Sequence, residues 1–190
     1  ACDEGVDAYI NTTVNGVGER AGNADLVSVV LALRHSSQLS QRGYLDEGID
    51  LTKAWRLANY VADAFGLPIP INQVGVGANA FAHESGIHAD GALKDRSNYE
   101  LYDFEELGRG QTEERRTGRE ILTGQHGGTS GLEYVYSRLD LAFRDAEHTR
   151  QTLHLVQYAN LCNQKQLTEE ELRFIYHHPD IARRLLTLTP

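Results

Sequence analysis

The fold is decided by residues 11–23, which read Asn11-Thr12-Thr13-Val14-Asn15-Gly16-Val17-Gly18-Glu19-Arg20-Ala21-Gly22-Asn23. The β-branched residues before Asn15 predict a strand over residues 8–14, and the apolar residues after Asn23 predict a helix over residues 24–35. A strand that passes through a glycine-rich turn into a helix is the repeating unit of α/β folds. In such folds the functional groups lie at the carboxyl end of the strand, so this turn is a candidate site.

The turn carries two amides, a carboxylate and a guanidinium, on Asn15, Asn23, Glu19 and Arg20. Asn23 and the nearby Asp25 are both placed to cap the helix that follows, since Asn and Asp are preferred N-cap residues. Glu19 and Arg20 could form an ion pair that fixes the loop, although such pairs stabilise a surface only slightly. The residues alone therefore favour structural roles for these side chains.

The composition is that of an ordinary globular protein with an acidic surface. The chain has 190 residues, 24% of them charged, and a net charge of −9. This charge argues against nucleic acid or an anionic membrane as the main partner, because both require a basic surface. Two distant cysteines, Cys2 and Cys162, indicate a reducing cytoplasmic compartment. No apolar run reaches the length of a membrane span.

The remaining pattern is mostly helical. An amphipathic helix is predicted over residues 51–65 and a short strand over residues 74–81, followed by a helix over residues 83–94. Residues 95–120 are charged and predict loops, and residues 120–123 predict an extended segment. A helix over residues 131–143 precedes a helical tail from residue 145 onward, in which Thr168 is predicted to cap one helix.

Three segments resemble the signatures of the 2-isopropylmalate synthase and homocitrate synthase family. The first is residues 14–23, and the second is residues 81–91, Phe81-Ala82-His83-Glu84-Ser85-Gly86-Ile87-His88-Ala89-Asp90-Gly91. The third is residues 122–128, Leu122-Thr123-Gly124-Gln125-His126-Gly127-Gly128, in which Gln125 and Gly127 replace the Lys and Ser of the family's turn. The segments occur in the family's order. These enzymes are metal-dependent TIM-barrel synthases, several of them in amino-acid biosynthesis, that condense an acyl-CoA with a 2-oxo acid.

The resemblance implies an α/β fold class: the last strand–helix units of a (β/α)8 barrel, followed by a mostly helical C-terminal region. Residues 1–80 would be the end of the barrel, residues 81–143 a linker or lid subdomain, and residues 144–190 a helical subdomain. The chain has no methionine and opens as if within a fold. We therefore expect it to be the C-terminal part of a longer enzyme whose N-terminal barrel part is missing, and the fragment alone to be inactive.

The resemblance also implies roles for five residues. Asn23 would be a ligand of a divalent metal (Mg²⁺, Mn²⁺ or Zn²⁺) whose other ligands lie upstream, so the site here is incomplete. Glu19 and Arg20 would bind substrate. His88 would help to activate acetyl-CoA in the site of a neighbouring subunit, which implies a homodimer, and Tyr134 would assist it.

Alternatives remain for several of these assignments. Tyr134 could equally be a core-facing aromatic, and His83, five residues before His88, is expected to make a capping or core hydrogen bond. The whole chain could be a non-catalytic helical module for dimerisation or regulation. Within the enzymes, an aldolase-type lyase of the same superfamily is the other possibility. The sequence does not distinguish which 2-oxo acid is used.

Overall fold

The chain forms two compact units in a computed structural model that describes residues 4–46, 48–110 and 117–188. Unit 1 consists of residues 1–81 and 100–119, and unit 2 consists of residues 82–99 and 120–190. Cys2 lies outside the described residues, whereas Cys162 is a free, exposed cysteine. The division at residues 80 and 143 stays a prediction.

Unit 1 contains two predicted helices. Helix α1 spans Leu26–His35, and Asp25 caps it by accepting a hydrogen bond from the Ser28 amide. Helix α2 spans Ala54–Phe65 and ends at Gly66, whose φ of 65° is the left-handed conformation that glycine adopts at helix ends. The helices pack around a core of Val27, Val30, Leu31, Leu51, Ala54, Ala58, Val76, Phe81 and Leu107.

The strand predicted over residues 8–14 is wrong. Within the described residues, Thr13 makes only an isolated parallel bridge to Asp25, and Val14–Gly16 is a single 3₁₀ turn. A strand needs a neighbour for its backbone N–H and C=O groups, and the described part of unit 1 offers no more than this single bridge. Tyr9, the second residue of the predicted strand, is 93% exposed.

The strand predicted over residues 74–81 is also wrong, because Arg109 takes two of the carbonyl groups that a sheet would use. Its Nη1 donates hydrogen bonds to the carbonyl oxygens of Gly75 and Gly77, both at 2.9 Å. Residues 74–81 form turns instead, and Gly75 has a φ of 71°. The Arg109 guanidinium lies 5.0 Å from the centre of the Phe81 ring. Burial lowers the pKa of Arg109.

Unit 2 begins with a small parallel sheet. Strand β1, Ala82–His83, pairs with strand β2, Glu120–Ile121, which lies in the segment predicted to be extended. His83 is thus in a strand, and the helix predicted to start there begins later, as α3 over Gly86–Lys94. Helix α4 covers Thr129–Arg138 and ends before the predicted residue 143, because the left-handed Asp140 lets the Leu141 amide bond back to the Tyr136 carbonyl oxygen.

The helical tail is confirmed. Helices α5 (Ala146–Asn163), α6 (Glu169–His177) and α7 (Pro179–Leu188) follow one another. Thr168 caps α6 in a capping box with Glu171, as the sequence predicts for a Thr that precedes acidic residues. The core of unit 2 is formed by Leu132, Tyr136, Leu139, Leu155, Val156, Ala159, Leu167, Leu172, Ile175 and Ala182.

The described residues therefore form a mostly helical α/β chain with one two-stranded sheet. The (β/α)8 barrel that the resemblance implies stays a prediction. None of the helices in the described ranges has both the length and the apolar character needed to cross a bilayer.

Candidate functional site

The first motif folds into a loop that is closed by backbone hydrogen bonds at its base and middle. At the base, the Thr13 amide donates to the Ala24 carbonyl oxygen at 3.0 Å, and the Leu26 amide donates to the Thr13 carbonyl oxygen at 2.9 Å. In the middle, the Asn23 amide donates to the Gly16 carbonyl oxygen at 2.9 Å. The loop is thus a defined structure that presents its side chains from a fixed backbone.

Two glycines are required by this closure. Gly16 and Gly22 have φ values of 66° and 88°, which glycine adopts without the steric cost that a Cβ would add. A Cβ on Gly22 would also lie 2.5 Å from the Gly16 carbonyl oxygen. Asn15 and Arg20 adopt the same region of φ, at 58° and 57°, although they are not glycines. Such conformations cost free energy and are found in loops whose shape serves a function.

Asn23 is not the helix cap, so that structural alternative is wrong. The cap is Asp25, whose Oδ2 accepts hydrogen bonds from the Ser28 amide at 2.9 Å and the Ser28 hydroxyl at 2.7 Å. The exposed Asn23 has its carboxamide oxygen over Gly18, where a Cβ would overlap it. Asn23 therefore keeps an amide oxygen that a hard cation such as Mg²⁺ or Mn²⁺ could bind.

Glu19 and Arg20 are both exposed, and in the part of the chain that the structure describes no ion pair joins them. The alternative in which they fix the loop by pairing is therefore wrong. Their charged groups are open to solvent at the tip of the loop, and this exposure leaves them available to a charged ligand.

Three side-chain oxygens at the base of the loop are buried: Thr13 Oγ1, Asn15 Oδ1 and Asp25 Oδ1. They have no hydrogen-bond partner among the described residues. The amide nitrogen of Asn15 is satisfied, because it donates to the Ala58 carbonyl oxygen at 2.8 Å and so ties the loop to α2. Buried acceptors usually have a partner, so the base of the loop has hydrogen-bonding capacity that these residues do not use.

The third motif and residues 82–91 of the second motif lie side by side in unit 2. The Leu122 amide donates to the His83 carbonyl oxygen at 2.9 Å, and the Gly86 amide donates to the His126 carbonyl oxygen at 3.1 Å. A Cβ on Gly86 would lie 2.9 Å from the Gly128 Cα, and a Cβ on Gly124 would overlap the Glu84 side chain. The glycines therefore permit a close approach of the two motifs, which their separation in sequence does not reveal.

Helix α3 presents His88 on its exposed surface. Two residues further on, Asp90 accepts hydrogen bonds from the Lys94 ammonium at 2.6 Å and from the Ser130 hydroxyl of α4 at 3.1 Å. These two donors hold the pKa of Asp90 below its usual value. The contact joins the helix of His88 to the helix that follows the glycine turn.

One neighbour of His88, Tyr99, lies outside the motif and was not predicted from the sequence. The Tyr99 ring lies 4.4 Å from the His88 imidazole, centre to centre, at an interplanar angle of 42°. The same ring lies 6.3 Å from the His83 imidazole. Tyr99 lies beyond the end of α3 at Lys94, so the contact is not one between residues of a single helix and its position is not predicted by the motif.

Tyr134 and Tyr136 differ sharply in their environments. Tyr136 is fully buried, and its hydroxyl donates to the Leu172 carbonyl oxygen at 2.9 Å. Burial raises the pKa of Tyr136 far above its usual range. Tyr134 is half-buried, and the Arg138 guanidinium lies 6.0 Å from its ring centre. The core-facing aromatic of this pair is thus Tyr136, and the partial exposure of Tyr134 leaves its predicted role open.

The predicted site residues fall in both units. Asn23, Glu19 and Arg20 lie on the loop of unit 1, whereas His88 and Tyr134 lie on α3 and α4 of unit 2. Among the residues that the structure describes, no three His, Cys, Asp or Glu side chains are grouped as a metal site would require. Asn23 fits a metal as one neutral oxygen ligand.

Two family models match the chain. The HMGL-like family matches residues 1–61, and the family described as homocitrate synthase post-HMGL domain-like matches residues 76–163. The first match contains the loop of Asn23, and the second contains both His88 and the glycine turn.

Similar curated proteins are synthases. The citrate (Re)-synthase of Dehalococcoides mccartyi is 52% identical over 189 residues, which is 99% of this chain and 46% of that protein. The 2-isopropylmalate synthase 2 of Caldanaerobacter subterraneus subsp. tengcongensis is 37% identical over 168 residues, 88% of this chain and 40% of that protein. The homocitrate synthase 1 of Nostoc sp. is 38% identical over 164 residues, 86% of this chain and 39% of that protein.

This chain thus spans less than half the length of these relatives. The two family models together contain all three motifs. The chain belongs to the 2-isopropylmalate synthase and homocitrate synthase family.

Proposed function

We propose that this chain is the carboxyl-terminal part of a synthase that condenses acetyl-CoA with a 2-oxo acid, and that the acid is oxaloacetate, which gives citrate. The observation that carries the proposal is the 52% identity to a citrate (Re)-synthase along 99% of the chain. The 2-isopropylmalate and homocitrate synthases are 37% and 38% identical. The N-terminal barrel part would supply the remaining strands and ligands.

In this proposal Asn23 is one ligand of a divalent metal. Its amide oxygen is not used for capping, and the closed loop fixes its backbone through the bond from its amide to Gly16. When bound, the metal would polarise the ketone of the 2-oxo acid and hold its carboxylate. The neutral amide oxygen suits Mg²⁺ or Mn²⁺ and is acceptable to Zn²⁺.

His88 moves a proton in this proposal. Carbon–carbon bond formation requires that a proton leave the acetyl methyl group as the new bond to the ketone carbon forms, and that the resulting alkoxide be protonated. Water must then hydrolyse the thioester of the condensation product, which releases CoA and gives the free acid. An imidazole nitrogen is suited to proton transfer near neutral pH. His88 is exposed on α3, so its ring is accessible to a substrate or to a second subunit. Tyr134, half-buried on α4, would assist as a hydrogen-bond donor.

Arg20 and Glu19 bind substrate in this proposal. A guanidinium at the tip of the loop can form two parallel hydrogen bonds to a carboxylate of the 2-oxo acid. Glu19 forms no ion pair with Arg20 in the described residues. Its carboxylate would therefore orient the substrate by accepting a hydrogen bond from it. The left-handed conformations of Asn15 and Arg20 set the direction in which these groups leave the loop.

The experiment uses the full-length enzyme, with oxaloacetate, 2-oxoisovalerate, 2-oxoglutarate and pyruvate as alternative partners of acetyl-CoA. We expect kcat/KM to be highest for oxaloacetate. We expect His88→Asn to lower kcat by roughly 10²- to 10⁴-fold, the usual contribution of a positioned acid or base. Asn23→Ala should weaken Mn²⁺ binding, measured by isothermal titration. His154→Asn and Asn72→Ala are matched controls, since both residues are exposed and lie outside the loop and motifs.

Several results would contradict the proposal. Full activity of His88→Asn would remove His88 from the reaction, and unchanged Mn²⁺ affinity of Asn23→Ala would remove the metal ligand. Tight, stoichiometric Mn²⁺ binding by residues 1–190 alone would contradict the incomplete site. If none of the four acids reacts but the protein forms a dimer in light scattering, the helical dimerisation module becomes the better description.

A further inference from the structure

A polar cavity of about 280 Å³ lies in unit 2 and is lined by the third motif and by the end of helix α5. The charged groups of its lining are the Glu84 carboxylate and the Lys165 ammonium. We propose that this cavity binds a small zwitterion, a free α-amino acid, with the ligand's ammonium at Glu84 and its carboxylate at Lys165. The cavity is smaller than the roughly 300–1,000 Å³ of pockets that hold drug-sized ligands, so it suits a molecule of this size.

Two buried residues of the lining offer oxygen atoms to such a ligand. Thr123 and Asn160 are 8% and 7% exposed. Asn160 Nδ2 donates to the Val156 carbonyl oxygen at 2.8 Å, so its nitrogen is already used. Asn160 Oδ1 and the Thr123 hydroxyl have no hydrogen-bond partner in the described residues, and they differ from the sealed oxygens of the loop base in being accessible to solvent. Both oxygens are therefore open to the cavity that the two residues line.

The Glu84 carboxylate is held at the glycine turn. Its side chain packs over Gly124, where a Cβ would overlap it, and its Oε1 accepts a long hydrogen bond from the His126 amide at 3.4 Å. None of the ion pairs within the described ranges includes Glu84. Its negative charge is thus available to the ammonium of a ligand, which forms short, charge-assisted hydrogen bonds to a carboxylate.

Lys165 reaches the cavity from a different element. Helix α5 ends at Asn163, and Gln164 adopts a left-handed φ of 50°, so the chain turns there and residues 164–166 line the cavity. The Lys165 side chain is 62% exposed, and its ammonium lies 3.9 Å from Glu171, which is a loose ion pair. Lys165 is not paired with Glu84, so the cavity presents two opposite charges that a zwitterion can bridge.

The third motif departs from the family's turn at this cavity. Gln125, which stands where the family has Lys, is one of the lining residues. An ammonium at residue 125 would compete for Glu84 and repel the ammonium of the ligand. A carboxamide both donates and accepts hydrogen bonds without adding charge. The lining therefore has one charge of each sign, and this disfavours a simple anion or a simple cation relative to a zwitterion.

The cavity also has a fixed frame. Gln157 Nε2 donates to the Gly127 carbonyl oxygen at 2.8 Å, which joins α5 to the glycine turn. The Gly86 amide donates to the His126 carbonyl oxygen at 3.1 Å, which joins the turn to the start of α3. The elements that carry Asn160 and Glu84 are thus connected through the turn, so the binding groups are held in place before the ligand arrives.

The test measures binding to the full-length enzyme by isothermal titration, without acetyl-CoA or a 2-oxo acid. The main probe is L-serine, whose hydroxyl suits the polar lining, and glycine is the minimal zwitterion. Ethanolamine lacks the carboxylate of serine, and 3-hydroxypropionate lacks its ammonium. We expect L-serine to bind at least about tenfold more tightly than either of these single-charge analogues, because each of them loses one charge-assisted contact.

Variants assign the two charges to the two ends of the ligand. Glu84→Gln and Lys165→Gln should each weaken L-serine binding about tenfold. Glu84→Gln should also weaken ethanolamine and spare 3-hydroxypropionate, and Lys165→Gln should do the reverse. Gln125→Lys should weaken L-serine as well, and it remains informative if Glu84→Gln does not fold. The matched controls, Glu147→Gln and Lys53→Gln, should leave the affinity unchanged, since both residues are exposed and lie outside the cavity.

Four outcomes would overturn the inference. They are no binding of L-serine or glycine, equal binding of a single-charge analogue, unchanged affinity in both Glu84→Gln and Lys165→Gln, and displacement of L-serine by oxaloacetate, which would put it in the substrate site. The proposed function is tested separately. An enzyme that turns over none of the 2-oxo acids would remove that function and leave the titration with L-serine unaffected.

Discussion

Unit 1 and unit 2 differ in what holds them together. In its described residues unit 1 has two α-helices, which are connected by turns. The Gly108 backbone lies close to the Thr52 carbonyl group, and Arg109 donates hydrogen bonds to the carbonyl oxygens of Gly75 and Gly77. Unit 2 has five described α-helices around a core in which Tyr136 contacts other aromatic rings. Both units have an apolar core, but the described residues of unit 1 also include the close approach at Gly108 and the bonds of Arg109 to backbone carbonyls, whereas the core of unit 2 is centred on the aromatic contacts of Tyr136.

The largest expected effect on stability comes from adding one methyl group to unit 1. Gly108 has a φ of 70°, and a Cβ there would overlap the Thr52 carbonyl oxygen, which is backbone and cannot rotate away. Left-handed strain costs about 1–2 kcal/mol for a residue with a Cβ, and overpacking adds about 1–3 kcal/mol. We expect Gly108→Ala to lower the free energy of unfolding by about 3 kcal/mol, measured by urea titration with the fluorescence of Trp55.

Gly66→Ala is the matched control for this variant. Gly66 has nearly the same φ, 65°, but a Cβ there would meet no atom of the described residues within 4 Å. Gly66→Ala should therefore lower the free energy of unfolding only by the cost of the left-handed conformation, about 1 kcal/mol. Equal losses for the two glycines would show that the approach to Thr52 does not stabilise unit 1, and would remove the contrast between the units.

Tyr136 offers a pH-dependent test of unit 2. Burial raises its pKa in the folded state, so the folded protein keeps a proton that the unfolded chain loses above pH 10 or so. The stabilisation is complete below that pH and falls by about 1.4 kcal/mol for each pH unit above it. At neutral pH, Tyr136→Phe should cost about 1 kcal/mol, since it removes the hydrogen bond to Leu172.

The difference between wild type and Tyr136→Phe should therefore shrink above pH 10 and reverse near pH 11. Amide hydrogen exchange of residues 152–160, in the core helix α5, would measure it. Tyr60→Phe is the control, because Tyr60 is 70% exposed and its replacement should give a difference independent of pH. If the difference in unfolding free energy between wild type and Tyr136→Phe stayed constant with pH, the pKa of Tyr136 would not be raised by folding.

The parts of this structure that the sequence predicted are those governed by neighbouring residues. The Thr168 capping box, the end of α2 at Gly66 and the apolar stripe of α1 depend on contacts within a few residues. The strand over residues 8–14 was wrong because a strand requires a partner, which local pattern does not specify. Arg109 likewise takes carbonyl groups some 30 residues away along the chain.

The candidate site likewise has features that could be predicted from the sequence and features that could not. The three motifs could be found in the sequence because glycine, His and Asn stand in a recognisable order. The approach of Gly86 to Gly128 and the contact between Tyr99 and His88 could not, since each joins residues of different segments, and local sequence pattern does not specify how those segments pack. Competition between Asn23 and Asp25 for the cap was decided by which side chain reaches Ser28, a matter of loop geometry.

The smallest expected difference in unfolding free energy is between the loss of a helix cap in unit 2 and the loss of a helix cap in unit 1. Thr168→Ala removes a complete capping box in unit 2 and should cost about 1 kcal/mol. Asp25→Ala removes the cap of α1 in unit 1. It also removes the buried Oδ1, which has no hydrogen-bond partner in the described residues. Leaving a carboxylate oxygen buried and unpaired is costly, so its removal offsets part of the loss.

In the 190-residue chain we therefore expect Asp25→Ala to cost less than Thr168→Ala, by amide exchange of residues 27–31 and 170–174. In the full-length enzyme the order should reverse if the preceding barrel part supplies a donor to Asp25 Oδ1, because the substitution then removes a satisfied, buried, charged hydrogen bond. An Asp25→Ala cost that is the same in both proteins would mean that the base of the loop gains no partner from the rest of the enzyme. Unit 1 would then be as self-sufficient as unit 2 despite its unpaired oxygens.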